Sequence, residues 1–145
     1  MKEVKYNPEA DIVYIIDLSD LINQKVDSLS DCFNIIIQPF QINSLYNTQP
    51  FILNCYYTIK KIADSFLMNL KIDCSIPTIC DICGVTFNFP FRFQVQEIFT
   101  SYFEYTNKFD DMYYFISNDD KIDVGKICIE NFISNLPITY RCSNC

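Results

Sequence analysis

Phenylalanine occupies every second position over residues 87–93, and Val95 continues the row, while Asn, Pro, Arg and Gln stand between these apolar residues. Successive side chains of a β-strand point to opposite faces of a sheet, so this period of two predicts one long strand with an apolar face. Pro90 stands on the polar side of the pattern. Because proline has no backbone N–H to donate to a neighbouring strand, we expect the strand to lie at a sheet edge or to carry a bulge there.

Two further segments alternate in the same way, over residues 51–60 and 66–74, and the turn 63–65 separates them. Two such runs joined by a short turn predict an antiparallel hairpin. Shorter apolar runs predict additional strands at 12–18, 33–37 and 112–116. Polar stretches at 107–111 and 117–120 predict a loop and an acidic turn.

The pattern changes near the end of the chain, where apolar residues follow the three-to-four-residue spacing of an amphipathic helix. The apolar positions are Val124, Ile127, Cys128, Phe132, Ile133 and Leu136. Asp123 is a suitable N-cap and Pro137 a suitable stop, so we expect a C-terminal helix between them. A short N-terminal helix is also expected, because Ser19 or Asp20 can cap a turn through residues 21–22.

The order of these elements predicts an α+β protein: a mainly antiparallel β-sheet with a C-terminal amphipathic helix and a short N-terminal helix. A barrel-like arrangement of the sheet is a variant of this expectation. A chain of 145 residues suffices for one domain with a sizeable core and is short for two, so we expect residues 1–145 to form a single domain. The candidate internal boundary is 43–50, a polar stretch closed by Pro50.

The charge of the chain limits its partners. It carries 18 acidic and 11 basic residues, for a net charge of −7, which disfavours a protein that mainly wraps a phosphate backbone. Candidates for a local nucleic-acid contact are sparse: Lys60, Lys61 and Lys71, or Arg92 with Arg141. Ordinary solvated charges are the simpler interpretation. An aromatic sheet face can stack bases, but core packing is the more ordinary role for the phenylalanine row.

Neither a membrane segment nor catalytic machinery is visible in the sequence. No run approaches the roughly 18 apolar residues that a spanning helix needs, and no apolar signal core follows Met1, so we expect a cytoplasmic protein without a membrane partner. The chain has no histidine, no glycine-rich phosphate loop and no G-x-S-x-G motif. Carboxylates at 110–111 and 119–120 lie in predicted turns, where solvation is their ordinary role. We therefore expect no catalytic residues and no enzymatic activity.

Two C-x2-C pairs are the residues best suited to specific chemistry: Cys80 with Cys83, and Cys142 with Cys145. Each spacing lets two thiolates reach one ion, and four thiolates complete a structural zinc site that leaves no open position for catalysis. The 58 residues between the pairs exceed the common separation, so reduced, unliganded thiols remain the alternative. A redox-active dithiol is a third interpretation, but it favours a thiolate at a helix N-terminus, and neither pair precedes a predicted helix.

The remaining cysteines have no such spacing. Cys32, Cys55, Cys74 and Cys128 are expected to be small core residues, because buried cysteine commonly packs as a hydrophobic side chain. A disulfide framework is typical of short secreted chains, and no secretory signal is visible here. We therefore expect these thiols to be reduced.

The second half of the chain resembles the YceD family, also called DUF177. The matching segments are, in order, Leu70–Cys74, Ile79–Cys83, Asp111–Tyr114, Ile122–Val124, Glu130–Ile133, Leu136–Ile138 and Cys142. Each motif is short, and their ordered combination over residues 52–145 carries the resemblance. One departure is Ile82, where family members commonly place a basic residue inside the first cysteine pair.

The resemblance implies a bacterial, non-enzymatic ribosome-biogenesis factor that supports processing or accumulation of 23S ribosomal RNA. The implied partners are a ribosomal RNA precursor, a ribosome-assembly protein, or both. Because the chain is acidic, contact through a protein partner or a small local patch is the expected mode. The alternative function is a generic zinc-stabilised protein-interaction module without an RNA role.

Overall fold

A computed structural model of the protein describes residues 2–6, 14–39, 41–42, 45–63, 65–101, 114–116 and 119–144. The elements within these ranges are β1 (Lys2–Tyr6), β2 (Ile15–Asp17), α1 (Ser19–Ile22), β3 (Ser28–Ile37), β4 (Gln41–Ile42), β5 (Leu45–Tyr46), β6 (Phe51–Ile62), β7 (Ser65–Ile79), β8 (Thr86–Ser101), β9 (Tyr114–Ile116), β10 (Lys121–Asp123) and α2 (Val124–Asn135). The expected α+β class, mainly antiparallel with a helix near each end, is confirmed. No helix in the described ranges is long and apolar enough to cross a membrane.

Six strands form one large sheet in the order β1, β3, β6, β7, β8, β9. The central pairs β3 with β6, β6 with β7, and β7 with β8 are antiparallel, and the outermost pairs, β1 with β3 and β8 with β9, are parallel. Among the described strands the sheet is open, with β1 and β9 at its two edges. The predicted hairpin is the pair β6 and β7, whose turn uses Ala63 in the left-handed region, at φ 52°.

The phenylalanine row lies on β8, which is 16 residues long. This strand pairs with β7 at every residue except its last, from Thr86 opposite Ile79 to Thr100 opposite Ser65. Its other neighbour, β9, pairs only from Phe99 onward. Pro90 therefore lies at a sheet edge within the described part of the chain, as the missing N–H requires.

The inner face of the sheet, defined as the face that contacts α2, forms the core. The ring centroid of Phe132 on α2 lies 6.1 Å from the ring centroid of Phe51 and 5.9 Å from that of Phe91. The four phenylalanines of the row over residues 87–93 are half-buried and pack against this core, and Phe99, later on β8, is fully buried in it. Their expected role in core packing is confirmed. The residues that alternate with them along β8 lie on the sheet face directed away from α2.

The N-terminal part is joined to the start of α2. β2 pairs antiparallel with β10, and the N–H of Leu18 donates to the carbonyl of Asp120 at 2.8 Å. The side chain of Asp123 accepts from the N–H of Lys126 at 3.0 Å, which confirms the predicted N-cap, and also from the N–H of Tyr14 at 2.8 Å. One carboxylate thus caps the helix and fixes the chain before β2.

Several predicted boundaries shift. The polar stretch 43–50, the candidate internal boundary, contains part of a strand, because Leu45–Tyr46 forms β5 and pairs with β4; residues 43–44 lie outside the described part. The predicted strand over 33–37 begins earlier, at Ser28, because β6 supplies a partner for every residue from Ser28 onward. The predicted loop over 107–111 and parts of the strands predicted at 12–18 and 112–116 also lie outside the described residues.

Candidate metal centre

The first cysteine pair lies in the tight turn between β7 and β8. The N–H of Cys80 donates to the carbonyl of Val85 at 2.8 Å, and the N–H of Gly84 donates back to the carbonyl of Cys80 at 3.0 Å. Gly84 has a φ of +75°, a left-handed conformation that glycine adopts without a Cβ clash. These two bonds curl the backbone so that Cys83 returns toward Cys80.

The tail after α2 is held on this turn by main-chain and side-chain hydrogen bonds. The N–H of Asp81 donates to the carbonyl of Tyr140 at 2.8 Å, and the N–H of Tyr140 donates to Oδ2 of Asp81 at 2.6 Å. Two residues later, the N–H of Cys142 donates to Sγ of Cys80 at 3.3 Å. The thiol of Cys142 is therefore placed beside the first pair.

The sulfur atoms of Cys80, Cys83 and Cys142 all lie within 4.8 Å of one another, and those of Cys83 and Cys142 are 3.5 Å apart. Zinc–sulfur bonds of about 2.3 Å in a tetrahedron separate the sulfurs by about 3.8 Å, so the spacing fits one ion with small adjustments. We call these three residues, with the turn and the tail that carry them, the cysteine cluster.

The surroundings of Cys80 suit a thiolate ligand. Its sulfur is buried and accepts backbone N–H groups from Ile82 at 3.4 Å and from Cys142 at 3.3 Å. Hydrogen bonds to the charged form of a group favour that form. Cys83 is exposed and Cys142 is partly buried, so an ion entering between the three sulfurs has a route from solvent.

Three of the four sequence-predicted ligands are thus brought together from two parts of the chain. Cys145, the predicted fourth ligand, lies outside the described residues. The first pair leads into β8 and not into a helix, in agreement with the sequence-based argument against a dithiol catalyst.

The other cysteines differ from the cluster. Cys55, Cys74 and Cys128 are buried, as expected for small core residues. Burial raises the pKa of the Cys74 thiol to about 12 and holds that of Cys128 well above its usual value, so both remain protonated at neutral pH. Cys32 was also expected in the core, but it is only partly buried, because its position in β3 alternates with the inward-facing Phe33.

Sequence reasoning missed the two residues that join the tail to the turn, Asp81 and Tyr140. Tyr140 is fully buried, and its ring meets that of Phe89 edge-on at 5.1 Å. Burial and the nearby Asp81 carboxylate raise the pKa of Tyr140 to about 12. The available signal was positional: Asp81 lies inside the first cysteine pair, and Tyr140 lies two residues before the second.

The basic candidates do not join this cluster as a group. Arg92 forms an ion pair with Asp73 at 3.2 Å on the sheet face opposite the core. Lys60 and Lys71 lie on that same face by their register in β6 and β7. Arg141 is exposed and adjoins Cys142 in the tail. Of the basic candidates Lys60, Lys71, Arg92 and Arg141, Arg141 alone adjoins the cysteine cluster, and the other three lie on the outer face of the sheet.

Together, the open antiparallel sheet, the capped C-terminal helix and the tail docked on a cysteine turn define a small β-rich protein with a candidate structural metal centre. The family model described as large ribosomal RNA subunit accumulation protein YceD matches residues 68–145, more than half of the chain. The chain belongs to the YceD family, and the resemblance noted in the sequence is confirmed. No curated protein and no solved structure matches the chain.

Proposed function

We propose that this protein is a non-enzymatic factor that supports processing or accumulation of 23S ribosomal RNA. The observation that carries the proposal is membership of a family described by large ribosomal RNA subunit accumulation. The matched region contains the cysteine turn, β8, α2 and the docked tail, which are the parts that build the candidate centre. Ribosomes assemble in the cytoplasm of bacterial cells, and we propose that the protein acts there.

The proposed role of the cysteine cluster is structural. Cys80, Cys83 and Cys142, with Cys145 as the fourth thiolate, would hold one zinc ion that fastens the tail to the turn between β7 and β8. A zinc ion with four thiolate ligands has no position left for water or substrate. The ion would therefore contribute folding free energy and a fixed surface.

The direct test is depletion of the protein in cells, followed by measurement of mature and precursor 23S ribosomal RNA relative to 16S. The expected result is less mature 23S RNA, with or without accumulated precursors. Re-expression of the unaltered chain should restore it. Unchanged 23S levels after effective depletion would overturn the proposal.

A second candidate function is a zinc-stabilised module that binds a protein partner and has no RNA role. The observation that favours it is a set of exposed aliphatic side chains close in sequence to the cluster: Ile82 is 59% exposed, Val85 49% and Ile138 85%. Exposed apolar groups concentrated in one region are typical of protein contacts. Affinity capture separates the two functions, because ribosomal precursors or processing enzymes support the first and an unrelated partner set supports the second.

A further inference from the structure

Three cross-strand rows of polar side chains lie at the centre of the outer face of the large sheet, the face opposite α2, and exposed isoleucines (Ile52, Ile62 and Ile98) flank them. From β6 through β7 to β8, the rows are Asn54 with Asp73 and Arg92, Tyr56 with Lys71 and Gln94, and Thr58 with Asn69 and Gln96. Residues directly opposite each other on antiparallel strands have Cβ atoms about 4.5–5.5 Å apart, so the members of a row are neighbours. The three rows form one continuous polar surface.

The two flanking rows are internally fixed. Nε2 of Gln96 donates to Oδ1 of Asn69 at 2.9 Å, and Nη2 of Arg92 pairs with Oδ2 of Asp73 at 3.2 Å. Side chains that hold each other in this way lose less freedom when a ligand binds, so the surface is partly preorganised.

A concavity of about 420 Å³ lies at the centre of these rows. The side chains that line it are Tyr56, Thr58, Asn69, Lys71, Gln94 and Gln96. The Tyr56 side chain is large, and the residue is 42% exposed, so much of its ring is open to solvent. An aromatic ring, an ammonium group and three amide groups thus share one depression.

The outer face is more basic than the chain as a whole. Its charged residues on β1, β3, β6, β7 and β8 are Glu3, Lys5, Lys60, Lys71, Asp73 and Arg92. Among the described residues of these five strands, four cations and two carboxylates give the outer face a charge of +2, whereas the whole chain carries −7. An anionic ligand is therefore attracted to the outer face and repelled by the remaining surface.

We infer that the outer face binds a short segment of single-stranded RNA, with one base stacked on Tyr56 and a phosphate near Lys71. Exposed aromatic rings on sheets stack unpaired bases, and side-chain amides carry the donors and acceptors that match base edges. Few cations are present, so the chemistry favours base contacts over the dense phosphate contacts that duplex binding needs. This inference rests on the proposed function for its natural ligand, a ribosomal RNA precursor.

The experiment is a binding titration with the full chain and a fluorescein-labelled uridine oligonucleotide. A length of about ten nucleotides is suitable, because one small β-sheet domain contacts about 4–16 nucleotides of a single strand. Fluorescence anisotropy at low salt should show saturable binding. Tyr56→Thr, which replaces the ring with a β-branched side chain suited to a strand, should weaken binding about tenfold through loss of one stacked base. Lys71→Gln should reduce the slope of log affinity against log salt by about 0.7, the value for one phosphate contact on a single strand.

Lys126→Gln is the matched control, because it makes the same change of charge at an exposed position on α2, which lies on the other face of the sheet. It should bind the oligonucleotide as the unaltered chain does. Circular dichroism and denaturant unfolding of each variant check that the fold is kept. Absence of saturable binding, or equal losses in Lys71→Gln and Lys126→Gln, would overturn the inference.

A second measurement does not depend on the stability of a variant. A photo-crosslinking amino acid at position 56 should attach RNA in cells, and attachment of protein without RNA would contradict an RNA site. Complementation of depleted cells distinguishes failure of the proposed function from failure of the RNA-binding inference. If depletion lowers 23S RNA and both Tyr56→Thr and Lys71→Gln restore it fully, the proposed function stands and the RNA-binding face is rejected. If both variants fail to restore it and Lys126→Gln succeeds, both are supported.

Discussion

Asp81 and Tyr140 bind each other through two hydrogen bonds although they stand 59 positions apart in the chain. The N–H of Asp81 donates to the carbonyl of Tyr140, and the carboxylate of Asp81 accepts from the N–H of Tyr140. This pair sets the tail against the turn between β7 and β8. The position of the Cys142 sulfur beside those of Cys80 and Cys83 depends on it.

Replacement of Asp81 tests this dependence. Hydrogen bonds to charged groups contribute about 1.5–3 kcal/mol; since Asp81 is exposed, we expect Asp81→Ala to lower the free energy of unfolding by about 1–2 kcal/mol. Zinc affinity should fall as well, because the third sulfur is less well positioned. Urea unfolding and competition with a chromogenic chelator measure the two effects. Asp27→Ala, at an exposed position before β3, is the control, and equal behaviour of both variants would contradict the proposed docking.

Serine substitutions test the metal site. Protein purified without chelator should contain about one zinc ion per chain, as expected for one four-thiolate site. Cys80→Ser and Cys142→Ser should each lower the zinc content and the melting temperature, because a lost thiolate leaves the ion weakly bound. Cys32→Ser, which removes a thiol from the outer face, should retain the metal. Elemental analysis gives the content; a wild-type content far below one, persisting after refolding with zinc, would argue for unliganded thiols.

Local periodicity explains why much of the fold was predictable. The alternation at 51–60 and 66–74 marks strands with one buried face, and the inward residues Leu53 and Met68 are fully buried. The N-cap at Asp123 and the helix that follows are likewise local, since the cap bonds a backbone group three residues away. The C-x2-C spacing that joins Cys80 to Cys83 is local for the same reason, whereas the approach of Cys142 to them depends on a distant contact.

The features that escaped prediction depend on distant partners. β7 continues through Pro77 to Ile79 because β8 supplies an opposite residue at every position, which overrides a sequence that reads as a strand end. The parallel pairing of β1 with β3 joins segments whose own patterns do not specify each other. The contact between Asp81 and Tyr140 and the row that joins Tyr56 to Lys71 are likewise consequences of register, which periodicity alone does not give.

Asp123 should be important to stability beyond an ordinary helix cap. Its Oδ1 accepts from the N–H of Lys126 and from that of Tyr14, so one substitution releases both the helix start and the segment before β2. We expect Asp123→Ala to lower the free energy of unfolding by about 2 kcal/mol, the upper end for an N-cap. Asp123→Asn, which keeps an acceptor oxygen, should lose less. Denaturant midpoints measure the difference, and equal midpoints for the two variants would contradict this account.

We propose that residues 1–145 unfold as one unit despite the candidate boundary at 43–50. β3 precedes that segment and β6 follows it, yet the two strands pair over ten positions. Separating the halves would therefore expose the centre of the sheet. Far-ultraviolet circular dichroism and tyrosine fluorescence should give coincident denaturation curves, whereas two separate transitions would support a real boundary.

The buried hydroxyl of Tyr140 predicts how stability depends on alkaline pH. Burial raises the pKa of Tyr140 from 10.0 to about 12. At a pH between these two values, the folded state therefore keeps the phenol proton, whereas the unfolded state has released it. The stabilisation is complete below the unfolded pKa of 10.0 and is lost as pH rises toward 12. Burial raises the pKa of Cys74 from 9.0 to about 12, so Cys74 adds a further loss of folding stability at alkaline pH, and this loss begins at a lower pH than that of Tyr140.

The variant Tyr140→Phe distinguishes the contribution of the Tyr140 phenol to alkaline instability from that of the Cys74 thiol. The Tyr140 hydroxyl has no hydrogen-bond partner within the described part of the chain, and an unpaired buried hydroxyl costs about 1–3 kcal/mol. We therefore expect Tyr140→Phe to unfold at a slightly higher denaturant concentration near neutral pH and to lose less stability on alkalinisation. The alkaline loss of stability due to the buried thiols Cys74 and Cys128 should remain. Denaturant unfolding across the alkaline range measures both effects, with the exposed Tyr56→Phe as the control for removing a phenol hydroxyl. A Tyr140→Phe protein that loses as much stability as the wild type would show that this phenol is not held neutral by burial.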